Sequence, residues 1–220
     1  MSKWYSEKKS VLEAAQQMAQ KGLVVGTSGN VSMRLREPSG QEFLAITPNA
    51  RYYDLLEVDD IVVIDFEGER VEGELATSIE KMLHIGVYKA RKKINAVIHT
   101  HSVFGSAFSV AGLEIPTVLD DQATYIGGEI KVAEYALPGT QDLVTNVLAA
   151  LGPRNAALLA NHGVLSMGRD MREAFTICEL VEKTAKVYAC ALSLGKVNPL
   201  PAGAAEVEKA YFNFLYGESE

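Results

Sequence analysis

Apolar positions recur at helical spacing over residues 6–21, where Val11, Leu12, Ala15 and Met18 are interleaved with Lys, Glu and Gln and Gly22 stands as a stop. The spacing predicts an amphipathic opening helix. The period then shortens to two over residues 31–35 and 42–46, flanking Pro38-Ser-Gly40, and predicts a hairpin. A second hairpin is expected at 61–66 and 69–71 around Glu67-Gly68. From Ser78 onward Ile79, Met82, Leu83 and Val87 restore the helical period, with a basic end at 89–93 that suits the helix dipole. Residues 95–102, Asn-Ala-Val-Ile-His-Thr-His-Ser, read as a buried strand. A helix over 103–110 follows, then short strands at 114–119 and 132–136. A further helix opens at Thr140 or Gln141 and runs to Leu151. The apolar stretch 156–160 ends in Asn161-His162-Gly163, and 164–168 returns. Asp170 with Glu173 forms a capping box before a long helix over about 171–194. After Pro201 a short helix carries Tyr211-Phe-Asn-Phe-Leu-Tyr216. This interleaving predicts one α/β (α+β layered) domain over 1–220, with a mixed, mainly antiparallel sheet covered by helices.

The candidate chemistry lies at the strand ends. Side chains alternate along a strand, so His99 and His101 share a face that Thr100 does not. His162 ends another strand. Imidazole is the commonest protein ligand for zinc, and a catalytic zinc takes three protein ligands with one position open. A structural role for these histidines stands beside that reading. His84 lies four residues after Glu80 on one helix face and reads as a packed or hydrogen-bonded residue. Glu80 in a first helical turn suits the dipole. Facing three histidines, it would instead be a displaceable ligand and then a general base. Thr77 and Ser78 would cap that helix or present its amides to a phosphate. The 26–30 turn, with the Asn30 amide, offers a second wall for an anion. Asp120-Asp121 are either solvated charges or a proton-transfer pair.

Composition narrows the partners. With 220 residues, 48% apolar and 22% charged, the chain suits a single core. Asp and Glu number 28 against 21 Lys and Arg, a net charge of −7, which argues against a nucleic-acid groove and leaves an anionic small substrate to a local pocket. No apolar run approaches the roughly 18 residues of a membrane span, and residues 1–10 do not read as a signal peptide. No membrane partner and a cytoplasmic location are expected. Cys178 and Cys190 stand 12 residues apart in one predicted helix, about 18 Å, too far to bridge, and read as packing residues.

Six segments in order, Gly26-Thr-Ser-Gly-Asn-Val-Ser32, Ile46-Thr-Pro48, Ser78-Ile-Glu80, Asn95-Ala-Val-Ile-His-Thr-His101, Tyr135-Ala-Leu-Pro-Gly-Thr140 and Asn161-His-Gly163, resemble the motifs of the class II aldolase/adducin-type family. The resemblance covers nearly the whole chain. It implies that His99, His101 and His162 hold a divalent metal, usually zinc, with Mn2+ or Co2+ as alternatives. It also implies that Glu80 is both ligand and acid/base residue. The implied reaction cleaves a (deoxy)ketose 1-phosphate, of the fuculose 1-phosphate or 5-deoxyribulose 1-phosphate type. Dihydroxyacetone phosphate and an aldehyde would leave through a metal-stabilised enediolate. Asn30, Thr77, Ser78, Asn49 and Ala50 fall at the implied phosphate pocket, where the family's fuculose enzymes carry Thr-Gly in place of Asn49-Ala50 and a serine in place of Ile79. A proton-relay tyrosine of those enzymes falls on Asp120, so Asp120 and Asp121 become candidates for that role. A tail tyrosine, Tyr216 with Tyr211 as fallback, would come from a neighbouring subunit of a homotetramer. The same metal site would serve a sugar-phosphate 4-epimerase or a methylthioribulose-1-phosphate dehydratase. Adducin-like interaction modules lack the ligands that this chain keeps.

Overall fold

The computed structural model describes residues 2–217. Its strands are β1 (Asn30–Arg36), β2 (Glu42–Ile46), β3 (Val62–Asp65), β4 (Arg70–Glu72), β5 (Ala96–Thr100), β6 (Val132–Ala133), β7 (Ala156–Leu159) and β8 (Gly163–Gly168). They form one sheet in the order β4-β3-β2-β1-β5-β8-β7-β6, antiparallel throughout except where β6 joins β7. The helices are α1 (Tyr5–Gln20), α2 (Lys81–Ala90), α3 (Val103–Ala111), α4 (Gln141–Leu151), α5 (Met171–Ser193) and α6 (Ala202–Tyr216). The expected layered α/β fold with a mixed, mainly antiparallel sheet is the one observed. No helix among the described residues is long and apolar enough to cross a membrane.

Strand alternation divides the core between the two faces of the sheet. Ala96 and Ile98 of β5 pack with Val31 and Leu35 of β1 against α1 and the start of α5. Farther along that face Ala156, Leu158 and Val164 meet Phe108 of α3 and Ile177 and Val181 of α5. Val97 points the other way, into a core with Leu44, Ile46 and Leu165 beneath α2 and α4. His99 follows Val97 by two residues and therefore also faces α2. Cys178 is buried and Cys190 exposed along α5, both as free thiols.

The structure departs from the pattern-based expectation in four places. Residues 114–119 form no strand. Only an isolated bridge joins Ile115 to Ile130, because Pro116 cannot donate to a ladder and the buried Gln122 side chain serves the backbone instead. Its Oε1 accepts from Val118 N at 2.9 Å, and its Nε2 donates to Pro116 O and Gly128 O at 3.0 Å. The expected strand at 132–136 shrinks to Val132–Ala133. Helix α2 begins at Lys81 rather than Ser78, since Thr77 is held in a bridge to Pro48 and Glu80 becomes the flanking residue. The tail helix α6 extends over 15 residues, well beyond the short helix expected.

Gly168 sits where β8 meets the first turn of α5. An added Cβ would lie 2.3 Å from Ala174 N and 2.9 Å from Ala174 Cα, both rigid backbone atoms. Gly168→Ala is expected to destabilise the fold by about 1–3 kcal/mol through overpacking, read as a lowered urea midpoint with an unchanged m-value.

Candidate active site

Three strand ends bring the histidines together. His99 is fully buried on β5, and its Nδ1–H donates to Val164 O at 3.0 Å, which leaves the Nε2 lone pair pointing out of the strand. His101 follows just beyond the strand. His162 sits in the three-residue turn between β7 and β8, where Asn161 adopts a left-handed φ of 55°. Gly163 makes this turn fit: a Cβ there would stand 2.2 Å from Thr100 O and 3.0 Å from His101 Cδ2. The three Nε2 atoms meet as a result, His99 to His101 at 3.0 Å and His99 to His162 at 3.2 Å. Glu80 completes the group, with Oε2 3.4 Å from His99 Nε2 and Oε1 3.5 Å from His162 Nε2.

These spacings approach the edges of a tetrahedral zinc site, about 3.3 Å for metal–ligand bonds near 2.0–2.1 Å. The protonation states agree. Burial, reinforced by the neighbouring His99, pushes His101 and His162 down to about 4, so both are neutral at pH 7 and present lone pairs. For Glu80, burial raises the carboxyl. The imidazoles of His99 and His162, the hydrogen bond from Asn30 and the nearby His84 together outweigh it and hold the group below the ordinary carboxylate range. Glu80 Oε1 is buried with no hydrogen-bond partner, a costly state for a carboxylate oxygen that a cation at this position would relieve. Three imidazoles and one carboxylate therefore fit a divalent metal.

Asn30 owes its place to register. It is the cross-strand partner of His99 in the β1–β5 pair, so their side chains share the α2 face. Its Nδ2 donates to Glu80 Oε2 at 2.8 Å, while its Oδ1 meets His84 Nε2. The preceding turn is pressed onto β5, since a Cβ on Gly29 (φ +75°) would lie 2.6 Å from His99 O. The Tyr53 hydroxyl holds that turn from outside by donating to Gly29 O at 2.6 Å.

A cleft of about 190 Å³ opens beside the ligands, lined by Asn30, Asn49, Ala50, Ser78, Glu80, His101 and His162 among others. The structure thus gathers the four expected metal ligands and four of the five expected phosphate residues. Ala50 takes a left-handed φ of 52° there, and Ser78 Oγ accepts from Glu80 N at 3.2 Å. Thr77 does not line the cleft. Asp120, Asp121 and Tyr216 also lie outside it. Asp121 pairs with Lys183, and Thr124 Oγ1 donates to Asp120 O at 3.0 Å. The following turn docks at Asn155, the end of β7 away from His162. The Tyr216 hydroxyl donates to Glu173 Oε1 at 2.8 Å, beneath the Arg169 guanidinium, at the far end of β8. Six residues of strand, roughly 17–20 Å, separate that end from Gly163. Sequence reasoning missed Tyr53, Ser32 and Tyr88. The last two were detectable only as polar groups on faces already occupied by Asn30 and His84.

Comparison with known proteins agrees with this geometry. Residues 9–189 match the family model for the Class II Aldolase and Adducin N-terminal domain. A 5-deoxy-D-ribulose 1-phosphate aldolase of Bacillus thuringiensis serovar kurstaki is 32% identical over 200 residues, covering 91% of this chain and 92% of that protein. A 5-methylthioribulose-1-phosphate/5-deoxyribulose-1-phosphate aldolase of Rhodospirillum rubrum is 34% identical over 95% of this chain and 91% of its own length. Among solved structures, an L-fuculose 1-phosphate aldolase superposes with a TM-score of 0.88 at 33% identity, over 97% of this chain and 98% of that one.

Gly163→Ala tests the close approach directly. The folded variant is expected to bind a divalent metal at least about tenfold more weakly than the native chain in chelator competition.

Proposed function

This chain belongs to the Class II Aldolase and Adducin N-terminal domain family, and from that premise we propose that it is a zinc-dependent aldolase of a short deoxyketose 1-phosphate. The convergence of Glu80 with His99, His101 and His162 beside an open cleft carries the reading. When bound, the metal supplies Lewis-acid stabilisation of the negative charge that develops on the ketose oxygens as C3 and C4 separate. Three imidazoles and a carboxylate suit zinc, with Mn2+ or Co2+ as substitutes.

The chain's own residues supply binding and proton transfer. Asn49, Ala50 and Ser78 lie at the wall we assign to the phosphate. Asn30 adds its remaining amide hydrogen there. Glu80 takes a proton from water and delivers it to the carbon released at C3, so that the three-carbon fragment leaves as dihydroxyacetone phosphate; in the condensation direction it removes that proton and returns it to water. The C4 hydroxyl must lose its own proton as the aldehyde forms, and among the described residues Asp120, Asp121 and Tyr216 lie outside the cleft of their own protomer. We assign that second proton to a neighbouring subunit. The exposed Val25, Ile79 and Leu137 around the cleft support such an assembly, a homotetramer with its sites at subunit boundaries. The relatives named for 5-deoxyribulose 1-phosphate favour acetaldehyde as the aldehyde product, with the lactaldehyde of fuculose 1-phosphate cleavage second.

Metal-loaded protein incubated with dihydroxyacetone phosphate is expected to form a ketose 1-phosphate faster with acetaldehyde than with lactaldehyde. Failure to form one with any aldehyde removes the aldolase. Glu80→Gln is expected to lose at least about a hundredfold in turnover while elemental analysis still finds the metal bound. Tyr216→Phe is expected to lower turnover without changing metal affinity, with a modest loss of thermal stability from the lost hydrogen bond to Glu173. Unchanged turnover would assign Tyr216 to packing alone.

A further inference from the structure

Behind Glu80 a line of buried polar groups runs into the core. Asn30 Nδ2 donates to Glu80 Oε2 at 2.8 Å, and Asn30 Oδ1 meets His84 Nε2. His84 Nδ1 lies 2.6 Å from Ser32 Oγ, which lies 2.8 Å from the Tyr88 hydroxyl. All four residues behind Glu80 are buried, His84, Ser32 and Tyr88 completely, so water does not compete for these bonds. Nothing in the metal group or the cleft requires the inner three of them.

The direction of every bond in this line is determined. Asn30 presents Nδ2, which only donates, to Glu80 and Oδ1 to His84. That oxygen only accepts, so His84 Nε2 carries the hydrogen. Burial pushes His84 down to about 3, so the ring is neutral and its Nδ1 accepts from Ser32. Ser32 has then spent its hydrogen and accepts from Tyr88. The reverse direction would oppose two acceptors at Glu80 and strand a buried hydroxyl hydrogen at Tyr88.

We infer that His84 is a positioning residue for Glu80: acting through Asn30, it pins Oε2 as a hydrogen-bond acceptor and leaves Oε1 as the oxygen that exchanges the substrate proton. The geometry of the two oxygens differs accordingly. Oε2 accepts from Asn30, whereas Oε1 is buried with no hydrogen-bond partner, 3.5 Å from His162 Nε2. The assignment of Oε1 rests on the aldolase reading; the tautomer of His84 does not.

Two measurements test this. In wild-type protein, long-range 1H–15N correlation of the imidazole rings is expected to show His84 neutral and protonated on Nε2, with and without added Zn2+. A ring protonated on Nδ1 overturns the proposal. In steady-state kinetics with the ketose 1-phosphate, His84→Leu is expected to lower kcat about tenfold or more with KM little changed. His84→Gln, whose amide can both donate to Asn30 and accept from Ser32, is expected to recover most of that loss. A folded His84→Leu enzyme with native kcat overturns the positioning role, as does a Gln variant no better than Leu. Should His84→Leu fail to fold, Ser32→Ala removes the donor to Nδ1, together with the acceptor of the Tyr88 hydroxyl, and is expected to lower kcat in the same sense; native kcat in that variant overturns the proposal. Wild-type protein inactive on every ketose 1-phosphate would remove the aldolase reading, while the ring correlation still decides the polarity.

Discussion

The approach of β5 to β8 at Gly163 is the contact on which the three-histidine group depends. The backbone of one strand passes so close to the Thr100 carbonyl of the other that no side chain fits between them. That proximity lets a three-residue turn present His162 directly opposite His99. The next residue, Val164, accepts from His99 Nδ1 and so fixes which nitrogen faces the cleft. One local closeness therefore sets both the distance between two ligands and the tautomer of one of them. Burial does the rest at His101 and His162 by disfavouring their protonated forms.

A second constraint is a match of repeats between a strand and a helix. Two residues of strand advance by about 6.6 Å and four residues of helix by about 6 Å. Asn30 and Ser32 on β1 can thus meet Glu80, His84 and Tyr88 along α2 rung by rung. The helix does not merely cover the sheet. It delivers a carboxylate to the metal group and a row of donors behind that carboxylate, all from a single face. The cores on either side of the sheet hold this register, and Tyr88 of the α2-side core contributes its hydroxyl to it.

Much of this was legible in the chain. The period-two stretches gave β1, β2 and β5 nearly to the residue, and the alternation Val97, Ile98, His99 gave the direction of the histidines. The three histidines were recognisable as candidate ligands because each stands at a strand end beside Gly or small polar residues. Less legible were features made by tertiary context. The segment 114–119 has strand-like apolar residues, yet a single buried Gln122 side chain replaces a ladder partner there. Glu80 and His84 were visible as neighbours on one helix face, but their connection runs through Asn30, fifty positions earlier, and only the β1–β5 register reveals it. Asp120 and Tyr216 illustrate the opposite difficulty, since what they face in an assembly is not encoded in local pattern.

The pinned carboxylate has a consequence for stereochemistry. Held through one oxygen, the group is not free to rotate and swap its atoms, so its other oxygen addresses a bound planar carbon from one side only. A carbon that becomes a methylene in the product would then receive solvent hydrogen in one of its two prochiral positions. The handedness of that hydrogen would trace back, through an amide and an imidazole, to a hydroxyl buried beneath the sheet.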